Sequence, residues 1–398
     1  MNYIIDRIEN FEQFFDIIND PRSRQCGDTF LLHVDGQDIV PVLRELGRGV
    51  YGITLGVEDP ELEDKGLNVV IKISSSSDHR NAIEIFYSLM LSNLVRNGGV
   101  PNFPLFSKCQ PRIGDDIMDC DCGEKVDEKS GCTFENNVFI SKSGDIRLMG
   151  NQQFLHSSQR SGCLLSFSDR MDFSLRDFLE NSPNSDEDML YLLCSITSQL
   201  ILAFKELYNR GLSHNDTHIG NILLKTNITD DFDLDTIKYV VNNDGETDTY
   251  YVKHENVFAV LADFGFMMPS RTVVNNVQQI GNDMDDMLPK WFGEGCNFSD
   301  WQRSSIYDMA RYAVSLEKGV QLRLECRAFA SVIADAFIEL LDIIPNQVAY
   351  DPMNFFMVID DALYVYPNIQ NIWRETTTSG LSPDSMVLSE HVVSDFNA

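Results

Sequence analysis

Positive charge is what this sequence is short of. Its 398 residues carry 31 Lys and Arg against 61 Asp and Glu, a formal net charge of −30 at pH 7. That balance argues against broad electrostatic binding to nucleic acid or to an anionic membrane, and it favours basic partners. A secretory signal is also missing. The start, MNYIIDRIENFEQFFDII, mixes acids into its apolar residues, so no export is expected and the expected location is cytoplasmic. No charge-free run reaches the roughly 20 residues that cross a bilayer. The longest, residues 189–204, contains Ser195, Thr197, Ser198 and Gln199 and reads as a buried helix. Internal repeats are absent.

The nine cysteines are an odd number in a long chain without an export signal, so reduced thiols are expected. Cys109, Cys120, Cys122 and Cys132 cluster, but the Cys-x-Cys at their centre departs from the usual spacing of zinc ligands. What is present is a globular composition, 43% hydrophobic and 10% aromatic, in a chain long enough for two lobes with short extensions.

The texture changes along the chain. Residues 1–41 read as an extension with one amphipathic helix from Asn10 to Ile18, where Phe11, Phe14, Phe15 and Ile18 recur at helical spacing. From Val42 to Ile73, short β-rich runs separated by glycines and an acidic turn predict three antiparallel strands. Residues 79–96 predict one helix, stopped by Asn97-Gly98-Gly99. The β-rich lobe then continues to 170, with an Asp-, Gly- and Cys-rich insertion around 108–160. Residues 171–372 are mainly helical, with long patterns at 186–209, 300–318 and 321–342, and they hold an acidic insertion at 226–257. The last stretch, 373–398, is polar and aperiodic and is expected to be a mobile tail. The predicted class is α+β, in two lobes.

Four motifs carry chemistry. In LSHNDTHIGNILL, residues 212–224, Asp216 can accept a substrate hydroxyl proton while Asn221 supplies an oxygen to magnesium. In FAVLADFGFMM an apolar strand delivers Asp263 to its end, where a carboxylate can chelate the magnesium that bridges ATP phosphates. In Leu46-Gly47-Arg48-Gly49-Val50-Tyr51-Gly52 the absent side chains let backbone amides approach phosphates. A strand, not a helix, follows those glycines, so a β-hairpin lid fits better than a dinucleotide fold. Lys72 in VVIKI falls on the next strand, and Glu84 is the only glutamate in the following helix to hold it. Each motif is weak alone, and their joint order is what decides.

That order resembles the protein kinase superfamily over roughly residues 42–320. LLSFSDRMDFSLRDFL looks like the hinge and the helix after it, with adenine expected near Phe167 to Arg170. Asp308 resembles the aspartate that braces the catalytic loop from below. His218 and Gly220 stand where ordinary protein kinases have Lys and Glu, so the loop is similar to the HxDxHxGN form of haspin-like kinases, aminoglycoside phosphotransferases and kinases of large DNA viruses. With PNFPLF at 101–106, the long insertion and no Ala-Pro-Glu after the DFG, the chain looks most like serine/threonine kinases of nucleocytoplasmic large DNA viruses. The resemblance implies a bilobal fold, ATP and Mg2+ as cofactors, a protein substrate with basic sites favoured, and a place in host cytoplasm or virion. Asn215 replaces the arginine that would clamp a phosphorylated activation loop, so control by phosphorylation between Pro269 and Asp300 is not expected. A small-molecule kinase of the aminoglycoside or choline type and a non-catalytic scaffold remain the rival readings.

Overall fold

The computed structural model describes residues 3–20, 22–26, 29–39, 41, 43–49, 52–58, 62, 68–75, 79–109, 133–135, 138–140, 146–148, 163–210, 212–228, 236–243, 246–269, 305–343, 352–377 and 387–393. The fold is mixed α+β. The chain divides into two compact units, one of residues 5–93 and 105–170, the other of residues 1–4, 94–104 and 171 onward.

The first unit is built on a sheet. Helix α1 (Tyr3–Asn19) leads into a small antiparallel meander, β1 (Arg24–Cys26), β2 (Thr29–Val34) and β3 (Gln37–Ile39). The strands β4 (Leu43–Gly49), β5 (Gly52–Val57) and β6 (Val69–Ser75) follow, then helix α2 (His79–Arg96) and β7 (Phe106–Cys109). Three short strands, β8 (Thr133–Glu135), β9 (Val138–Ile140) and β10 (Ile146–Leu148), precede β11 (Cys163–Asp169). The eight-stranded sheet runs β7-β11-β6-β5-β4-β10-β9-β8. The strands of the 108–160 segment therefore extend one edge of the sheet through β10 on β4 and leave the order of the other five intact.

Helix α1 is longer than the apolar stripe suggested, because Ile4 and Arg7 are also buried. Phe14 packs on Phe167 of β11 at 5.6 Å between ring centroids, and Arg7 pairs with Asp169. Residues 5–41, read from sequence as an extension, are thus part of this unit.

The second unit is mainly helical. β12 (Phe173–Ser174) runs into α3 (Leu175–Asn181), and the long α4 (Asp186–Asn209) fills the core. Ser174 and Ser185 cap these helices by accepting from the N–H groups of Asp177 and Asp188. Helix α4 is the only helix among the described residues long and apolar enough to cross a membrane, and 94% of that window is buried in the protein. Next come β13 (Leu212–Ser213), β14 (Ile222–Thr226), β15 (Thr236–Asn243), β16 (Glu246–Lys253), β17 (Val257–Leu261) and β18 (Met268–Pro269). The chain continues with helices α5 (Ser305–Gly319), α6 (Leu324–Ile343), α7 (Pro352–Ala362) and α8 (Pro367–Thr376) and ends with β19 (Val387–Val393). Trp373 of α8 joins the helices, with Phe329 and Phe356 each 5.9 Å away.

One sequence expectation changes here, and one segment gains detail. Within the acidic insertion, β15 pairs with β16 in full register. The last residues are not all tail: α8 runs to Thr376, and β19 pairs in parallel with β15. Val387, Val392 and Val393 suit a strand, and pairing satisfies backbone groups that local periodicity cannot forecast.

β17 is the edge of the sheet β12-β14-β17. Buried side chains complete its hydrogen bonding. Gln199 of α4 accepts from the Ala259 N–H at 2.9 Å and donates to the Val257 carbonyl at 3.1 Å. Asn102 donates to the Ala259 carbonyl at 2.8 Å and accepts from the Tyr239 hydroxyl at 2.8 Å. Asn102→Ala strands these buried groups and is expected to lower unfolding free energy by on the order of 3 kcal/mol, read from urea titration.

Candidate active site

In the helical unit the site is a loop held by its backbone. The carboxylate of Asp308, wholly buried in the first turn of α5, accepts the N–H groups of His214 and Asn215, each at 2.7 Å. Burial pushes the Asp308 carboxyl up to about 7, and the two N–H bonds oppose that shift. Asn215 has φ of +63°, a left-handed conformation that a non-glycine residue adopts at a cost. Its side-chain amide donates inward, to the Ser213 carbonyl at 3.1 Å and the Phe266 carbonyl at 3.2 Å. With no exposed surface it cannot meet a phosphate.

That turn presents Asp216. One carboxylate oxygen, Oδ1, accepts from the Arg311 guanidinium, which also donates to the Asn215 carbonyl. The other, Oδ2, is 3.3 Å from Nδ2 of Asn221 and 3.9 Å from Nε2 of His218. Arg311 was missed in the sequence. Its signal was available: three residues after Asp308 on one helix, it shares that residue's face.

Two histidines shape the loop. Nδ1 of His214 accepts from the Asp216 N–H at 3.2 Å and its Nε2–H donates to the Ala262 carbonyl at 3.0 Å, an assignment that makes the ring neutral. Desolvation lowers its pKa from 6.5 to about 4, against the opposing fields of Asp216 and Asp263. Nδ1 of His218 accepts from the Gly220 N–H at 3.0 Å, and burial lowers this ring's pKa below its ordinary value, against the field of Asp216. A Cβ at Gly220 would sit 2.9 Å from the His218 ring, so a larger residue there would force that ring to shift.

Asn221 and Asp263 are joined through the strands. β14 pairs antiparallel with β17, and the Ala262 N–H donates to the Asn221 carbonyl at 2.9 Å. Asp263 follows directly, with φ of +65°. The 47 positions from Asp216 to Asp263 are explained by the β15–β16 hairpin, which is inserted between two strands that still pair directly.

Nδ2 of Asn221 is spent on Asp216, donating to its carbonyl at 2.9 Å as well as facing Oδ2. Oδ1 of Asn221 is therefore the atom left for a cation. Among the described residues no group of three or more His, Cys, Asp or Glu forms a metal cage. Magnesium does not need one, since it keeps waters and takes one or two carboxylates together with substrate phosphates. Asn221 with Asp263 fits that donor set.

In the β-rich unit, Lys72 of β6 donates to both carboxylate oxygens of Glu84 on α2, each at 2.6 Å. The glycine motif lies on the β4–β5 hairpin, where Gly49 pairs with Gly52 and the register shifts between Glu45 and Gly47. Leu46 is exposed, and a Cβ at Gly47 would meet nothing within 4 Å. Packing within the chain does not demand a glycine there. Arg48 lies in β4, while Val50 and Tyr51 fall outside the described residues, as do Cys120, Cys122, Cys132 and the segment 270–304. Cys109 is in β7. The structure thus brings together Lys72 with Glu84 and, separately, Asp216 with Asn221.

No protein-family model matches this chain, and no curated protein matches it either.

The neutral, buried His214 has a consequence for stability. Its folded pKa lies below the unfolded value, so the stability it protects is present above pH 6.5 and is lost as pH falls toward 4. The loss is on the order of 3 kcal/mol. Urea unfolding across that range is expected to show it, and His214→Phe, though less stable at neutral pH, is expected to show a flatter acid limb.

Proposed function

We propose that this chain is an ATP-dependent serine/threonine protein kinase with a bilobal protein kinase-like fold, of the kind encoded by large DNA viruses. One observation carries the reading. Asp216 sits on a strained loop anchored by a buried carboxylate, with Oδ1 tied to Arg311 and Oδ2 beside the amide of Asn221. A carboxylate held this way is oriented before substrate arrives, which is what phosphoryl transfer asks of a protein that contributes position and charge rather than covalent chemistry.

Bound MgATP supplies the γ-phosphoryl group and the metal charge that screens it. The protein's part is divided among few groups. Lys72, held by Glu84, would neutralise the α- and β-phosphates of bound ATP. The glycines of the Leu46–Gly52 motif would let backbone N–H groups approach phosphates, and a Cβ at Gly47 would meet nothing within 4 Å. Asn221 and Asp263 would supply the oxygen donors for magnesium. Oδ2 of Asp216 accepts the proton of the attacking hydroxyl and orients its oxygen, while Arg311 prevents the carboxylate from turning away. Burial disfavours the charged form of His218, whose Nε2 lies 3.9 Å from Oδ2.

The test is transfer of label from radiolabelled ATP into a mixed protein substrate, with label in small molecules as the result that favours the small-molecule kinase. Asp216→Asn is expected to lower turnover by a factor on the order of 100 or more while leaving ATP affinity intact. Arg311→Lys, which keeps the charge but not the two-pronged hold, is expected to lower kcat with KM for ATP unchanged. Full activity of Asp216→Asn would remove that residue from the mechanism.

A further inference from the structure

The helical unit holds a partly open cavity of about 530 Å3 whose lining includes none of Asp216, Asn221 and Asp263. It lies between helix α3, the turn at Ser182–Asn184, the start of α4 and the ends of strands β14 and β17. Three aromatic rings line it, Phe173, Phe178 and Tyr191, with Phe173 47% exposed. Three carboxylates line it as well, Asp177, Asp188 and Glu255, and no Lys, Arg or His among the described residues does.

Two neighbouring cations are engaged elsewhere. Lys225 is held by Asp172 at 2.7 Å, and Arg323 donates to the carbonyls of Ser182 and Asn184 from behind their turn. The Tyr191 hydroxyl donates to Glu375 at 3.0 Å, and Glu187 and Glu255 add to the negative field that, with burial, raises the phenol's pKa.

We propose that this cavity is a docking site for an arginine- or lysine-bearing extended segment of a partner protein. A guanidinium or ammonium group meets carboxylates at the rim and aromatic faces on the walls, a combination that gains both ionic and cation–π attraction. The volume lies within the roughly 300–1,000 Å3 of pockets that take whole side chains or small ligands, far more than a single metal ion fills. Asp177 and Asp188 are each fixed by a capping serine hydroxyl, at 2.6 and 2.7 Å, so they are ordered before a ligand arrives. The backbone at Asn227, Glu255 and Asn256 is left-handed, with φ of 54°, 46° and 55°, which sets the two turns closing one end of the cavity. Whole-chain acidity alone would attract cations everywhere, whereas aromatic walls beside three acids select one place.

Docking here is independent of phosphotransfer, because it is measured without ATP or magnesium. The probe is a fluorescein-labelled peptide with paired arginines, compared by anisotropy with the same peptide carrying glutamines. Only the arginine peptide is expected to bind, with affinity falling as salt rises. The double variant Asp188→Asn/Glu255→Gln is expected to weaken it about tenfold, and Phe173→Ala, at an exposed position, roughly two- to fivefold. Thermal unfolding of each variant checks that the fold is kept. Equal binding of the glutamine peptide, or affinity unchanged in both variants, would overturn the proposal. So would saturable binding of Mg2+ or Ca2+ alone that is lost in the double variant while the arginine peptide fails to bind.

Discussion

The acceptance of two backbone N–H groups by one buried carboxylate, Asp308, is the contact on which the site depends. A fully desolvated carboxylate is unfavourable unless its lone pairs are filled, and here neighbouring main-chain donors fill them. In return the loop from His214 to Asp216 is held with Asn215 in the left-handed conformation. Arg311, one turn further along the same helix, then reaches both the Asn215 carbonyl and the Asp216 carboxylate. Two side chains of α5 therefore set the loop backbone and the Asp216 carboxylate together.

The second constraint is the pairing of β14 with β17. Asn221 ends the loop on one strand, and Asp263 leaves the other immediately after the Ala262 N–H has bonded to the Asn221 carbonyl. Because Gln199 and Asn102 satisfy the outer edge of β17 from within the core, the strand is fixed on both sides. An insertion of two long strands between β14 and β17 leaves this pairing in register. The link between Asn221 and Asp263 is thus kept across the insertion.

Much of this was legible in the sequence, where local signals are strong. Helices α2 and α4 begin and end where apolar periodicity and the Asn-Gly-Gly and Gly211 stops place them. Lys72 and Glu84 were paired by elimination, and they meet at 2.6 Å. What stayed hidden depends on contacts between distant positions. The span from Asp216 to Arg311 covers 95 residues, and from Asn102 to Tyr239 it covers 137. The strand β19 was unreadable for the same reason, since it takes its order from β15 rather than from a pattern of its own. Conversely, the cysteine cluster and the segment after the DFG, both prominent in the sequence, lie largely outside the described residues.

Under the proposed function, Asp263 and Asn221 would hold the metal and Asp216 the substrate hydroxyl. Affinity for ATP in the presence of Mn2+, followed by the paramagnetic broadening of the ATP phosphorus resonances, separates these roles in a single titration. Asp263→Asn is expected to weaken metal-dependent nucleotide binding, and Asp216→Asn to leave it as in the unaltered protein. Identical metal–nucleotide affinity in both variants and the unaltered protein would contradict the account.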